Sequence, residues 1–497
     1  MARRLWSRLL LVGALGLAVG VGCALLPERY ALNVPIANLL WGGGIDAPSE
    51  DVIRRRLQVP EGFSVQLWAA DVPNARMLRV TEAGDLLVSQ PRRGQVTLLE
   101  RDGGRRVLLQ DLDRPHGLAL HDGWLYVAES GAIGRIRFDA ATRATEGAFE
   151  RIVTGLPAGG NHWTRTIGIG PDGALYVSIG SSCNVCLEKD PRRAAIVRYR
   201  LDGSGEEIVA TGIRNAVGFD WHPETKVLWA TDNGRDLLGD DFPPCELNAI
   251  QPGGFYGWPY ANGDRVPDPD YGAGEAARIA ASIPPAHRFR AHNAPLGMTF
   301  LRGEQLPASY RHAALAALHG SWNRTRKDGY KVVSLHWRDD GTIEERDFLW
   351  GFLADEDVIG RPVDVAEGPD GAVYVSDDYA GAIWRVAYGT VPAREARSAP
   401  ALDRRADSGL DALPPAERAA LAERGATLFR ELGCAGCHPA VAGTTAVSLI
   451  PLARLGTRWS VDRLVEFFAA PTPPMPAVDR PEADRRALAV HVLTQYP

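Results

Sequence analysis

The chain has no run of basic residues interleaved with aromatics, and its formal net charge is only -6 over 497 residues. The electrostatic footprint that nucleic acid requires is missing, which excludes that partner class. Methionine and cysteine are scarce, at four and six, so each can be weighed individually. After position 400 the Cys/His set is reduced to Cys434, Cys437, His438 and His491. That is poor material for a structural zinc site, which needs four ligands. The length exceeds what one ordinary small domain needs.

What is present in the tail is Cys434-Ala-Gly-Cys437-His438. C-x-x-C-H is the attachment string for covalent haem: two thiols form thioethers and the adjacent imidazole reaches the iron. A redox dithiol, a zinc half-site or chance are the competing readings. Of the methionines Met1, Met77, Met298 and Met475, only Met475 follows the motif, in Pro473-Pro474-Met475-Pro476. It is the candidate second axial ligand, with prolines to stiffen its loop, and His491 is the fallback. A His/Met haem transfers single electrons at a raised potential. Residues 414–432 and 480–496 have helical composition, the first with Pro at its start. The stretch 412–497 resembles a small class I cytochrome c domain, and Gly425 and Phe429 match that family's glycine–aromatic pattern on the first helix.

At the other end, Arg3, Arg4 and Arg8 precede an apolar run from Leu9 to Leu26. This reads as a signal sequence or membrane anchor over 1–30, with the positive flank inside and the remainder exported. No A-x-A cleavage site is evident, and Gly20-Val21-Gly22-Cys23 matches a lipoprotein box poorly. The expectation is a bacterial periplasmic protein held to the cytoplasmic membrane by its N-terminus. Covalent haem attachment outside the cytoplasm agrees with it. So does a disulfide between Cys183 and Cys186, whereas Cys245 reads as a buried thiol.

Between residues 58 and 390 one pattern recurs: a Gly/Asp turn, an apolar strand, a polar edge. The copies are EAGDLLVSQ (82–90), HDGWLYVAES (121–130), GPDGALYVSIG (170–180), HPETKVLWATDNG (222–234), HAALAALHGSW (312–322) and GPDGAVYVSDD (368–378). The first four begin at 82, 121, 170 and 222, the spacing of propeller blades. Six copies predict a mainly β, six-bladed propeller, its strands alternating apolar and polar residues. Polar strand ends at Ser181, Asp232, Asn233, Ser321 and Asp377 are expected to crowd one face. Residues 391–411 read as a linker, so the fold class is a propeller followed by a small all-α domain, with an N-terminal signal or anchor helix.

The segments NHWTRTIGIGPDGALYVSIG, GIRNAVGFDWHPE, ATDNGRDLLGDDFPPCELN, GGFYGWP, HGSWNR and GRPVDVAEGPDGAVYVSDD together resemble the glucose/sorbosone dehydrogenase family, in its sorbosone dehydrogenase-like subgroup. Those are six-bladed propellers that use pyrroloquinoline quinone (PQQ) and calcium. The resemblance implies that His162 is the catalytic base and that Arg214 and Asn215 lie by the quinone. It implies that Arg361, with Arg324 or Lys331 in place of a lysine missing at Asn323, binds cofactor carboxylates. The carbonyls of Asn233-Gly234-Arg235 would hold calcium, with Asp240, Asp241 and Glu246 nearby. The chain departs from the pattern at Ser181, where an Asp orients the histidine, at Val363 for a second arginine, at Cys245 for an acidic residue, and at His116 for a glutamine.

The reading is an exported quinohaemoprotein that oxidises an aldose, sorbosone or a related sugar or alcohol and passes electrons through haem c to an external acceptor such as a respiratory cytochrome. Two rivals stand beside it: a calcium-dependent lactonase-type hydrolase, and a non-catalytic propeller that docks a partner to a cytochrome.

Overall fold

A computed structural model describes residues 31, 33, 44–389, 409–410, 412–434, 459–469 and 477–496. The chain divides into two compact units, Met1–Pro392 and Ala393–Pro497.

The first unit is a six-bladed β-propeller built of four-stranded antiparallel blades, the third extended by one short parallel strand. The second strands of the six blades are Leu86–Gln90, Trp124–Ala128, Leu175–Ile179, Leu228–Asp232, Ala314–Leu318 and Val373–Asp377. Each falls within one of the six sequence copies, so copy number and blade number agree. The expected alternation of apolar and polar residues does not hold for these strands: four of the six are buried at every position. A blade's second strand is covered on both faces by neighbouring blades, and a strand buried on both faces needs no polar side. Mixed exposure appears instead on outer strands such as Ala144–Thr154.

The ring closes with an N-terminal strand. Phe63–Ala69 pairs antiparallel with Ala382–Tyr388 and supplies the outermost strand of the last blade, Phe63 opposite Tyr388. Joining the two ends of the propeller within one sheet ties the ring shut. Around the axis the inner strands approach closely. A Cβ on Gly218 would sit 2.2 Å from the Leu296 carbonyl oxygen of the next blade, so only glycine fits there.

In the second unit the described helices are Pro415–Glu431, Val461–Ala469 and Glu482–Gln495. Leu428, Leu464, Val465, Phe468, Leu488 and Val492 form their shared core. The first and last helices cross at Gly425, where a Cβ would lie 2.1 Å from the Ala487 carbonyl oxygen. Phe429 packs its ring against His491 at 5.5 Å, which places the fallback haem ligand in the helix crossing. Cys434 follows directly on the first helix. Cys437, His438 and Met475, the segment 1–30 and all of the linker but 409 and 410 lie outside the described residues. Among the described residues no helix is long and apolar enough to cross a membrane.

Candidate active site

Polar residues at the ends of the second strands build the loops of one propeller face. Asp232 accepts the backbone N–H groups of Asn215 at 2.6 Å and Arg214 at 2.8 Å. Asp377 accepts that of Arg361 at 3.0 Å, and Glu129 that of Asp113 at 2.7 Å. In these blades a buried carboxylate caps the loop that leads into the innermost strand. Arg214 and Arg361 therefore occupy equivalent positions of two blades, each held at its backbone so that its side chain starts from a fixed point.

His162 lies in the loop before the innermost strand of the third blade. Its Nδ1 is 2.9 Å from both the carbonyl oxygen and Oγ of Ser181. Ser181 Oγ donates its own proton to the Cys183 carbonyl at 2.7 Å. Both groups facing Nδ1 are thus acceptors, which makes Nδ1 the protonated nitrogen and leaves the Nε2 lone pair for the cavity. The serine substitution noted in the sequence therefore still fixes the tautomer, with a neutral pair of acceptors in place of a carboxylate. Burial, with the Arg214 charge beside it, drives the His162 pKa down to about 3, so the ring is neutral near pH 7. Arg165 Nη1 donates to the His162 carbonyl at 3.0 Å and pins the loop from behind.

His162 lines a cavity of about 190 Å³ together with Arg214, Asn215, Asn233, Gly234, Asp236, Cys245, His292 and Trp322. Arg214 is held on three sides. Its Nε and Nη2 donate to the carbonyl and Oδ1 of Asn184 at 2.9 and 2.8 Å. Its Nη1 donates to the carbonyls of Asn233 and Gly234 at 3.1 and 2.9 Å. Its Nη2 pairs with Asp236 at 3.1 Å. The cation facing those two carbonyls here is thus a guanidinium. Asn215 Oδ1 is buried without a hydrogen-bond partner. Asn215 stands next to His162 because Gly180 between them has no Cβ: one there would meet Asn215 Oδ1 at 2.5 Å and His162 Cβ at 2.7 Å.

A smaller cavity, about 20 Å³, shares Arg214, Asn233 and Gly234 and is lined by the carboxylates of Asp232 and Glu246. These residues are directly opposite on paired strands. Burial, and for Glu246 also the charge of Asp232, pushes their pKa values up to about 7 and about 8. Asn248, which donates to Glu246 at 3.0 Å, leaves its own buried Oδ1 unpartnered. Two buried carboxylates beside room for one small particle suit a hard cation, with the Arg214 guanidinium also on the wall.

The remaining sequence-predicted residues sit apart from both cavities or reach them only in part. Arg324 is bound to the Ala291 and Asp240 carbonyls and to Asp241. Arg361 donates to the His319 and Gly320 carbonyls at 3.1 and 3.3 Å and lies over the Tyr330 ring. The Arg235 side chain is ion-paired with Asp268 at 2.7 Å, although the residue is part of the smaller cavity's lining. Lys331 pairs with Asp347 at 2.5 Å. Cys245 is a buried free thiol on the larger cavity wall, and Cys183 and Cys186 form a disulfide. Sequence reasoning missed Asn184, Asp236, His292 and Trp322. Asn184 had a signal in its place between two paired cysteines, and Asp236 and Trp322 in the quoted segments ATDNGRDLLGDDFPPCELN and HGSWNR; His292 had none.

These features define a six-bladed propeller with a histidine–arginine cavity on one face. The glucose/sorbosone dehydrogenase family pattern matches residues 125–385. An uncharacterized protein of Borreliella burgdorferi is 32% identical over 355 residues, covering 68% of this chain and 92% of that protein. A pyrroloquinoline quinone-dependent pyranose dehydrogenase of Coprinopsis cinerea is 25% identical, covering 68% of this chain and 56% of the enzyme. In fold, the calcium structure of a Trichoderma reesei carbohydrate-active enzyme of family AA12 superposes with a TM-score of 0.59 at 21% identity, covering 67% of this chain and 97% of that one. The chain belongs to the glucose/sorbosone dehydrogenase family.

Proposed function

We propose that the propeller is a PQQ- and calcium-dependent sugar dehydrogenase and that the C-terminal unit carries a haem c that receives its electrons. The observation that carries this reading is the pairing of a neutral, tautomer-fixed His162 with Arg214 across one cavity. The pyranose dehydrogenase relative, which its name describes as PQQ-dependent, supports the choice of cofactor.

The residues fit the proposed groups. The unpartnered Asn215 Oδ1 and the guanidinium of Arg214 offer polar contacts on the wall beside His162. Arg361, in the loop position equivalent to Arg214, would hold a cofactor carboxylate. Asp232 and Glu246 would hold calcium, and the carbonyls of Asn233 and Gly234, which accept Arg214 Nη1 here, would have to be released from it to join them. PQQ supplies, when bound, an acceptor for a hydride. His162 Nε2 takes the proton from the sugar hydroxyl as the C–H bond breaks, and Nδ1 stays anchored on Ser181, which keeps the ring oriented as it takes up charge. Arg214 places a fixed positive charge where negative charge develops, in a site shielded from bulk water.

Cys434, Cys437 and His438 would bind the haem, with Met475 as the sixth ligand. Joining the two units in one chain makes electron transfer between them first-order. Export and anchoring by residues 1–30 would place the sugar, and an external acceptor such as a respiratory cytochrome, on the same side of the membrane.

The test is turnover with an artificial acceptor after adding PQQ and calcium, for aldoses and sorbosone. PQQ-dependent sugar oxidation that falls at least about 100-fold in His162→Gln is expected, the usual scale for loss of a general base. PQQ-independent lactone hydrolysis would replace this reading with the hydrolase, and no turnover together with no PQQ affinity would replace it with the docking module.

A further inference from the structure

Four residues closed by the Cys183–Cys186 disulfide touch both halves of the site. The Cys183 carbonyl accepts the Ser181 hydroxyl at 2.7 Å, and Ser181 in turn fixes His162. Asn184 makes more contacts. Its carbonyl accepts Arg214 Nε at 2.9 Å. Its Oδ1 accepts Arg214 Nη2 and the Asp236 backbone N–H, both at 2.8 Å. Its Nδ2 donates to the Asp236 carbonyl at 3.0 Å. Arg214 and Asp236, which pair with each other, thus meet on one asparagine whose backbone is closed into a ring by a disulfide.

An asparagine in an open loop would sample many positions, and ordering it costs backbone and side-chain entropy. A crosslink over so short a segment removes much of that freedom before folding. The segment is also held from outside: Glu188 accepts the Ser182 N–H at 2.5 Å and its hydroxyl at 2.9 Å. Both cysteines are half-buried, so a small reductant can reach them.

We propose that Asn184 is a positioning residue for Arg214 and Asp236, that the Cys183–Cys186 disulfide holds it in place, and that reducing this disulfide disables the site. In the reduction a dithiol such as dithiothreitol gives two electrons and two protons. The Sγ–Sγ bond breaks, two cysteine thiols form, and the reagent closes to its cyclic disulfide. The consequence for catalysis rests on the dehydrogenase reading above; the positioning itself does not.

The experiment compares the full chain as isolated, the same protein reduced with dithiothreitol, Cys183→Ser/Cys186→Ser, Asn184→Ala, Asn184→Asp, and the combination of the cut with Asn184→Ala. The first measurement is residue-resolved amide exchange without cofactor. The Asp236 amide, bonded to Asn184 Oδ1, is expected to exchange at least tenfold faster in the reduced protein and in Asn184→Ala. Amides within the blade, Val177 and Thr231, are expected to be unchanged. The second is PQQ affinity. Cutting the disulfide and Asn184→Ala should each weaken it at least tenfold, their combination no further, and Asn184→Asp, which keeps the acceptor for Arg214 but loses the donor to the Asp236 carbonyl, should fall between the parent and Asn184→Ala.

An Asp236 amide that stays protected after reduction would overturn the proposal, as would losses that multiply in the combined variant. If the disulfide-intact protein binds no PQQ, the dehydrogenase reading fails while the exchange data still decide the positioning claim.

Discussion

Replacing Glu246 by glutamine should raise the stability of the calcium-free protein at high pH and abolish its response to calcium. Glu246 and Asp232 face each other in the interior, and Glu246 has its pKa pushed up to about 8 from an ordinary 4.5, by burial first and by Asp232 second. A carboxyl whose folded pKa is raised binds more protons folded than unfolded. Its contribution is intact below pH 4.5 and is lost as pH rises through about 8. At 1.36 kcal/mol per unit, the ionised pair costs on the order of 5 kcal/mol above pH 8. Glutamine removes that cost. It also replaces one of two acceptor oxygens, those receiving the Asn248 side chain and the Gly263 N–H, with an amide donor, a loss of about 1–2 kcal/mol. Glu246→Gln should therefore be less stable than the parent at pH 4.5, where that cost is absent, and more stable, by about 3 kcal/mol, at pH 8.5. The assay is urea denaturation in chelator at both pH values, repeated with calcium. Calcium at about 100 times its dissociation constant should add about 2.7 kcal/mol to the parent and close to nothing to the variant. Parallel pH profiles without calcium, or an equal calcium gain in both proteins, would refute the reasoning.

Four further outcomes follow from the structure. His162 has a depressed pKa, so its stabilising neutral form is fully present above pH 6.5 and is lost as pH falls toward about 3. His162→Gln should flatten the acid limb of stability by up to about 1.4 kcal/mol per pH unit in that window, read by denaturation at pH 4.5 and 6.5. Arg214→Met leaves Asp236 and three carbonyls without their cation, and should cost about 3 kcal/mol in urea denaturation as well as weaken PQQ binding. Gly425→Ala places a methyl within 2.1 Å of the Ala487 carbonyl and should destabilise the helical unit by about 2 kcal/mol or more, measured by thermal melting of that unit's signal. Cys434→Ser/Cys437→Ser should abolish covalent haem in a denaturing gel stained for haem while sugar oxidation with an artificial acceptor persists.

The propeller was legible because its second strands are the most constrained part of each blade. Strands such as LYVSI and VYVSD are covered by neighbouring blades on both sides and framed by Asp-Gly turns, so they repeat in composition as well as in position. The same constraint defeats the alternation expected for them, since a strand without a solvent face has no reason to alternate. The site was legible only where a residue carried chemistry in a recognisable string: His162, Arg214, Asn215 and the Asn233–Gly234 loop meet at one cavity. Asn184 and His292 are single polar residues in irregular loops, and Asp236, though inside a quoted segment, carries no chemistry of its own there. No periodicity marks them, and their roles come from contacts between blades. Arg214 and Arg361 were readable as members of separate motifs, but their equivalence depends on Asp232 and Asp377 capping both loops from strand ends 16 to 18 residues further on.

The most direct test of the account is the haem absorbance of the full chain, carrying covalent haem and supplied with PQQ and calcium, recorded as an aldose is added with no other acceptor present. The account predicts reduced-haem bands that appear only with both sugar and PQQ and are absent in His162→Gln. A haem that stays oxidised in protein shown to bind PQQ and oxidise the same sugar with an artificial acceptor would contradict electron transfer from the propeller to the C-terminal unit.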